Sequence, residues 1–125
     1  MKRILVADDD KYFRDEISGS LTDHGYNVTL VTNGKDAMDE LAEENYDAAV
    51  LDMYMDKVNG IQVIAAIKEI SPKFPIIVIT GDNSIELERE IRSRGVFYYF
   101  IKPFDMKELN EVLESAFKSS GTKKS

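Results

Sequence analysis

The chain has 125 residues, 43% of them apolar and 31% charged, the proportions of one globular domain able to bury a core without staples. Its formal net charge of −7 argues against a nucleic-acid surface, which carries a basic patch, and the absence of cysteine excludes disulfides, a thiol nucleophile and cysteine-based zinc sites. No apolar run approaches a membrane span and the opening MKRILVADDD lacks a signal-peptide core, so the expectation is a cytoplasmic protein with no membrane and no nucleic-acid partner.

In chain order, Ile4–Ala7 reads as a buried strand, followed at once by Asp8, Asp9 and Asp10. Phe13, Ile17 and Leu21 then recur at helical spacing up to the stop signal His24-Gly25. Val28–Thr32 is β-branched and half polar, which suits a strand near a sheet edge. After the turn signal Asn33-Gly34, residues Ala37, Met38, Leu41 and Ala42 mark one face of a second helix ending near Asn45. Ala48–Leu51 is a continuous apolar run, as in a strand covered on both faces, and it ends at Asp52. A loop carrying Asp56, Asn59 and Gly60 leads to a third helix that turns Ile61, Ile64, Ala65 and Ile67 to the sheet and stops before Pro72.

Ile76–Ile79 is the most apolar run and predicts a central strand ending at Thr80-Gly81-Asp82. A fourth helix over about 84–94 is poor in apolar residues; Glu88 with Arg92 and Glu90 with Arg94 form i, i+4 pairs on a solvated face. Gly95 ends it, and Phe97–Ile101 forms a fifth strand stopping at Lys102-Pro103. A last helix buries Met106, Leu109, Val112, Leu113 and Ala116; residues 1–118 are thus one domain, and 119–125 are expected to fray as a disordered polar tail. Five strands alternating with five helices predict an α/β fold: a three-layer sandwich around a five-stranded parallel sheet. The flavodoxin-like (βα)5 order 2-1-3-4-5 is expected, because it puts the apolar first, third and fourth strands at the centre.

In that order the residues just past strands one, three, four and five meet in one crevice: Asp8 with Asp9, Asp52, Thr80 and Lys102. Singly, each has a plain alternative, as a cap of the first or fourth helix or as a surface charge. Together they ask for more. Three carboxylates in one crevice repel, and the usual remedy is a bound cation or raised pKa values. All-oxygen ligation suits Mg2+. A lysine and a hydroxyl beside a metal-bound carboxylate are what a transferring phosphoryl group needs, with the aspartate as nucleophile.

The acidic pair in ILVADDD, the loop LDMYMDKVNG, Thr80-Gly81 and Lys102-Pro103-Phe104, each at the right strand end, resemble the receiver domain of two-component response regulators over Lys2 to about Lys118. The resemblance implies that Asp52 is the phospho-acceptor, and that Asp8 and Asp9 hold the metal with Asp52 and the Tyr54 backbone carbonyl. It further implies that Thr80 is the switch hydroxyl, Lys102 the phosphate-contacting lysine, Tyr99 the switch aromatic, and the Lys102-Pro103 bond cis. The chain departs from the pattern at Asp56, where the family usually has proline, and at Val96, Phe97 and Tyr98, where small or acidic residues are common. Phe97 and Phe100 are expected in the core, while Tyr98 is open between core and partner contact. Tyr54 is bulky for a site that must admit water. His24 is expected to close the first helix, and Met38, Met53, Met55 and Met106 to pack in core or loop.

The function implied is a phosphorylation switch. A histidine kinase or histidine phosphotransfer protein supplies a phosphoryl group to Asp52 with Mg2+, and the change reaches a downstream protein, or a second copy, through the helix 4–strand 5–helix 5 face. The expected product is the chain's own modified state, not a turnover product. An aspartyl-phosphate hydrolase would show a second Asp where Tyr54 stands, and a flavin carrier would want a Ser/Thr/Gly-rich loop where Asp8, Asp9 and Asp10 stand. Met1 and the short polar tail favour a free-standing regulator over a fragment of a larger one.

Overall fold

The structure, a computed structural model, describes residues 1–55 and 57–122. It contains β1 (Arg3–Ala7), α1 (Lys11–Asp23), β2 (Asn27–Val31), α2 (Gly34–Glu43), β3 (Ala48–Asp52), α3 (Gly60–Ile70), β4 (Ile76–Thr80), α4 (Ile85–Ser93), β5 (Tyr98–Ile101) and α5 (Met106–Thr122). All strand pairs are parallel and the order is β2-β1-β3-β4-β5, as expected.

Both faces of the sheet are covered, which is why β3 and β4 are buried at every residue and read as unbroken apolar runs. Alternation sends Leu5, Ala7, Ala49, Leu51, Val78 and Tyr99 to one face, against Ala37, Val63, Ile64, Ile67 and Ile91 of α2, α3 and α4. Ile4, Val6, Val50, Ile77, Ile79 and Phe100 point the other way, against Ile17, Leu21, Leu109 and Leu113 of α1 and α5. β2 and β5 are the edge strands, with Leu30, Tyr98 and Ile101 partly open to solvent.

Helix starts are set by side-chain caps. Asp10 accepts from the Tyr12 N–H, Asn33 from Asp36, and Ser84 from Leu87, while Asn59 and Gln62 form a reciprocal capping box on α3. His24 closes α1, its N–H donating to the Leu21 carbonyl, and the Glu88–Arg92 and Glu90–Arg94 pairs form as predicted.

Four details differ from the sequence reading. Asn33-Gly34 is not a free turn but the cap and first residue of α2, where a Cβ on Gly34 would clash with the Val58 backbone. Val63, not Ala65, fills the sheet-facing side of α3; Ala65 is exposed. Phe97 stands just ahead of β5 and is 38% exposed, because it precedes the paired strand instead of lying inside it. α5 continues through Thr122, beyond Lys118; the rest of the expected tail, residues 123–125, and Asp56 lie outside the described residues.

Candidate functional site

The acidic triplet after β1 divides its labour. Asp10 is taken up as the cap of α1. Asp8 is fully buried, its Oδ1 accepting from the Asp10 N–H at 2.9 Å, and Arg14 Nη1 donates to the Asp8 carbonyl at 3.0 Å. Asp9 stays exposed at the rim. Parallel register brings the end of β3 beside that of β1, pairing Ala7 with Leu51, so Asp52 emerges next to Asp8. Carboxylate oxygens of Asp8, Asp9 and Asp52 all lie within 4.8 Å of one another.

Lys102, the first residue past β5, reaches back over this group. Its Nζ is 3.0 Å from Asp8 Oδ2 and 3.4 Å from Asp52 Oδ2, with the lysine side chain only 12% exposed. The contact to Asp8 is an ion pair outside hydrogen-bonding geometry, which leaves Asp8 Oδ2 buried and without a hydrogen bond. Burial and the neighbouring Asp8 charge push the Asp52 carboxyl up to about 7, against the pull of Lys102 and the Tyr54 N–H. Burial alone would depress Lys102, but the two carboxylates outweigh it and hold the ammonium above its ordinary value. A buried oxygen that makes an ion pair but no hydrogen bond, in a set of three converging carboxylates, fits a hard cation bound through oxygen. The residues could hold a metal ion.

Thr80, the last residue of β4, is fully buried, and its hydroxyl accepts from the Asp82 N–H at 3.1 Å. Tyr99 is 6% exposed and donates its hydroxyl to the Asp82 carbonyl at 3.4 Å. Asp82 thus touches both. Its Oδ1 accepts from the Ser84 N–H at 2.8 Å, and its Oδ2 accepts from the Tyr54 hydroxyl at 2.6 Å. Tyr54 itself is 56% exposed and its N–H donates to Asp52 Oδ1 at 3.3 Å, so the ring spans the two loops beside the acid cluster.

Close packing holds the loop after β3. Gly60 donates its N–H to the Met53 carbonyl at 3.0 Å, and a Cβ there would lie within 2.9 Å of the Asp52 carbonyl oxygen. The Lys102-Pro103 peptide is cis, as the resemblance implies. All the residues singled out at the strand ends, Asp8, Asp9, Asp52, Thr80 and Lys102, therefore meet in one crevice. Helical spacing sets Phe13 on the core face of α1, yet its ring centroid lies 4.6 Å from Lys102 Nζ. Helical spacing shows which side of a helix faces inward, not which later loop crosses above it.

Fold and site together define a class: a doubly wound domain with two buried aspartates and an exposed one, a hydroxyl and a lysine converging at the carboxyl edge of its sheet. The family model of the response regulator receiver domain matches residues 4–114, and the chain belongs to that family, the receiver domains of two-component response regulators. The transcriptional regulatory protein ZraR of Salmonella typhimurium is 36% identical over 113 residues, covering 90% of this chain and 26% of that protein. The response regulator MprA of Mycolicibacterium vanbaalenii is 36% identical over 107 residues, covering 86% of this chain and 46% of that protein. The chain thus spans less than half the length of these relatives. The solved receiver domain of the Francisella response regulator 1452 is similar with a TM-score of 0.89 at 28% identity, covering 96% of this chain and 99% of that one.

Proposed function

We propose that Asp52 is the phospho-acceptor and that the acid cluster binds Mg2+ through Asp8, Asp9, Asp52 and the Tyr54 carbonyl. The observation that carries the reading is the position of Asp52: buried at the sheet edge, 3.4 Å from Lys102, within 4.8 Å of two further carboxylates. A carboxylate oxygen of Asp52 attacks the phosphorus of a phosphohistidine. An O–P bond forms as the N–P bond breaks, and the leaving imidazole takes up a proton. Mg2+ held by these carboxylates would supply positive charge beside the phosphoryl group and favour the ionised form of Asp52. Lys102 adds a second positive charge, and Thr80 can donate its hydroxyl proton to a phosphoryl oxygen.

In turning toward the phosphoryl group, the Thr80 hydroxyl gives up the Asp82 N–H and disturbs the loop on which Tyr99 rests. The readout surface is the face of α4, β5 and α5, where Ile85, Tyr98 and Ile101 are exposed. Its occupant is a downstream protein or a second copy, and the donor is a histidine kinase or histidine phosphotransfer protein in the cytoplasm. The domain is a switch that assists its own modification, not a turnover enzyme. Phosphoramidate with Mg2+ should add one phosphoryl group by intact mass, and a chelator should suppress it. Equal labelling in excess chelator would remove the metal from the account.

A further inference from the structure

Lys102 has a third neighbour besides its two carboxylates, and that neighbour carries no charge. Its ammonium sits 4.6 Å from the Phe13 ring centroid, on a side chain 12% exposed. The ring is braced. Phe13 stacks on Phe104 at 6.2 Å and 23°, and Phe104 stacks on Phe100 at 4.7 Å and 25°, with Phe100 only 5% exposed in the core under α1 and α5. A flexible lysine stem therefore ends between a fixed aromatic face and two acids.

The acids cannot hold it through the reaction. Asp8 and Asp52, the two that pair with Lys102, belong to the same trio of oxygens that converge for a cation. A divalent ion there draws off their charge and repels the ammonium. Lysine is a compact, strongly hydrated charge on four rotatable carbons, and would then swing toward water. The aromatic quadrupole is unaffected by whether the acids are occupied, and attraction to it grows as water is excluded.

We infer that Phe13 is a positioning residue for Lys102: its braced ring keeps the ammonium over the acceptor when a cation occupies the carboxylates. The inference rests on the phospho-acceptor reading above for its consequence, but not for its geometry. Two measurements separate them. In the wild-type protein, the Lys102 ε-methylene protons should resonate upfield of the other lysines, and stay there on saturation with Mg2+ alone. Collapse of that shift on adding Mg2+ would overturn the inference without any reference to phosphorylation.

The second arm compares rates of labelling by phosphoramidate at saturating donor and Mg2+. Phe13→Leu should lose roughly fivefold in rate while binding Mg2+ as tightly as wild type, and Phe13→Tyr should recover most of the loss. A Leu variant as fast as wild type, or a Tyr variant as slow as Leu, would overturn the role of the aromatic face. Absence of labelling in the wild type would sink the acceptor reading, leaving the spectroscopic arm to decide the role of Phe13.

Discussion

Tyr54 and Asp82 face each other across the crevice, and their hydrogen bond decides between two opposed effects. Hydrolysis of a phosphorylated Asp52 needs a water in line with the phosphorus. A free Asp82 would attract that water, but both of its oxygens are engaged, one by Ser84 and one by the Tyr54 hydroxyl. The tethered ring is then expected to dominate by excluding that water. Tyr54→Asn should speed loss of phosphate roughly tenfold, about 1.4 kcal/mol of barrier, read as the decay rate after donor removal. Equal or slower decay would mean that the ring does not shield the phosphorus. Tyr54→Phe, which keeps the ring and drops the tether, should fall between the two.

The buried Asp52 carboxyl also makes stability depend on pH. Its carboxyl is raised from 3.8 to about 7, by burial first and by Asp8 second. A raised acid stabilises the fold fully below its unfolded value and loses that contribution as pH climbs through its folded value. In metal-free buffer at pH 8 the wild type therefore bears the full repulsion, and Asp52→Asn escapes it. The variant should be more stable by about 1–2 kcal/mol, roughly 5 °C in Tm. Mg2+ should narrow the gap by stabilising the wild type more, and the gap should shrink toward pH 4. A less stable variant at pH 8 without metal would contradict the electrostatic account.

The elements place these residues by caps and close contacts. α3 begins where the Asn59–Gln62 capping box closes and Gly60 lies against the carbonyl end of β3. Gly60→Ala would force its Cβ into Met53 and the Asp52 carbonyl, and both β3 and Asp52 would have to move. A loss of about 1–3 kcal/mol is expected in denaturant titration, together with weaker Mg2+ binding. Asn59→Ala should cost about 1 kcal/mol through the cap alone and leave Mg2+ affinity near wild type. If both variants lost stability and metal equally, the special role of the Gly60 contact would fail.

Across the whole molecule, the fold is readable because the central strands are short apolar runs closed by a turn or a charge, the edge strand β2 is half polar, and the helices between them keep their period. The site was readable because four strand ends carry chemistry and the parallel order brings them together. What escaped lies between elements. Ala65 and Val63 are both apolar neighbours on α3, and composition alone does not say which faces the sheet. Phe97 belongs to an aromatic run whose pairing starts one residue later. The ring of Phe13 on α1 under Lys102 and the tether from Tyr54 to Asp82 join segments far apart in sequence, and only the packed chain brings them into contact.

Thr80→Ala removes the hydroxyl that now accepts from Asp82, so the variant should still take a phosphoryl group but lose the phosphorylation-dependent change in binding or self-association. A variant that responds like wild type would break the proposed link to Tyr99. Everything rests on one acceptor. Intact-mass analysis after exposure to phosphoramidate and Mg2+ should show a single phosphoryl group on the wild type and none on Asp52→Asn, and equal labelling of that variant would contradict the assignment of Asp52.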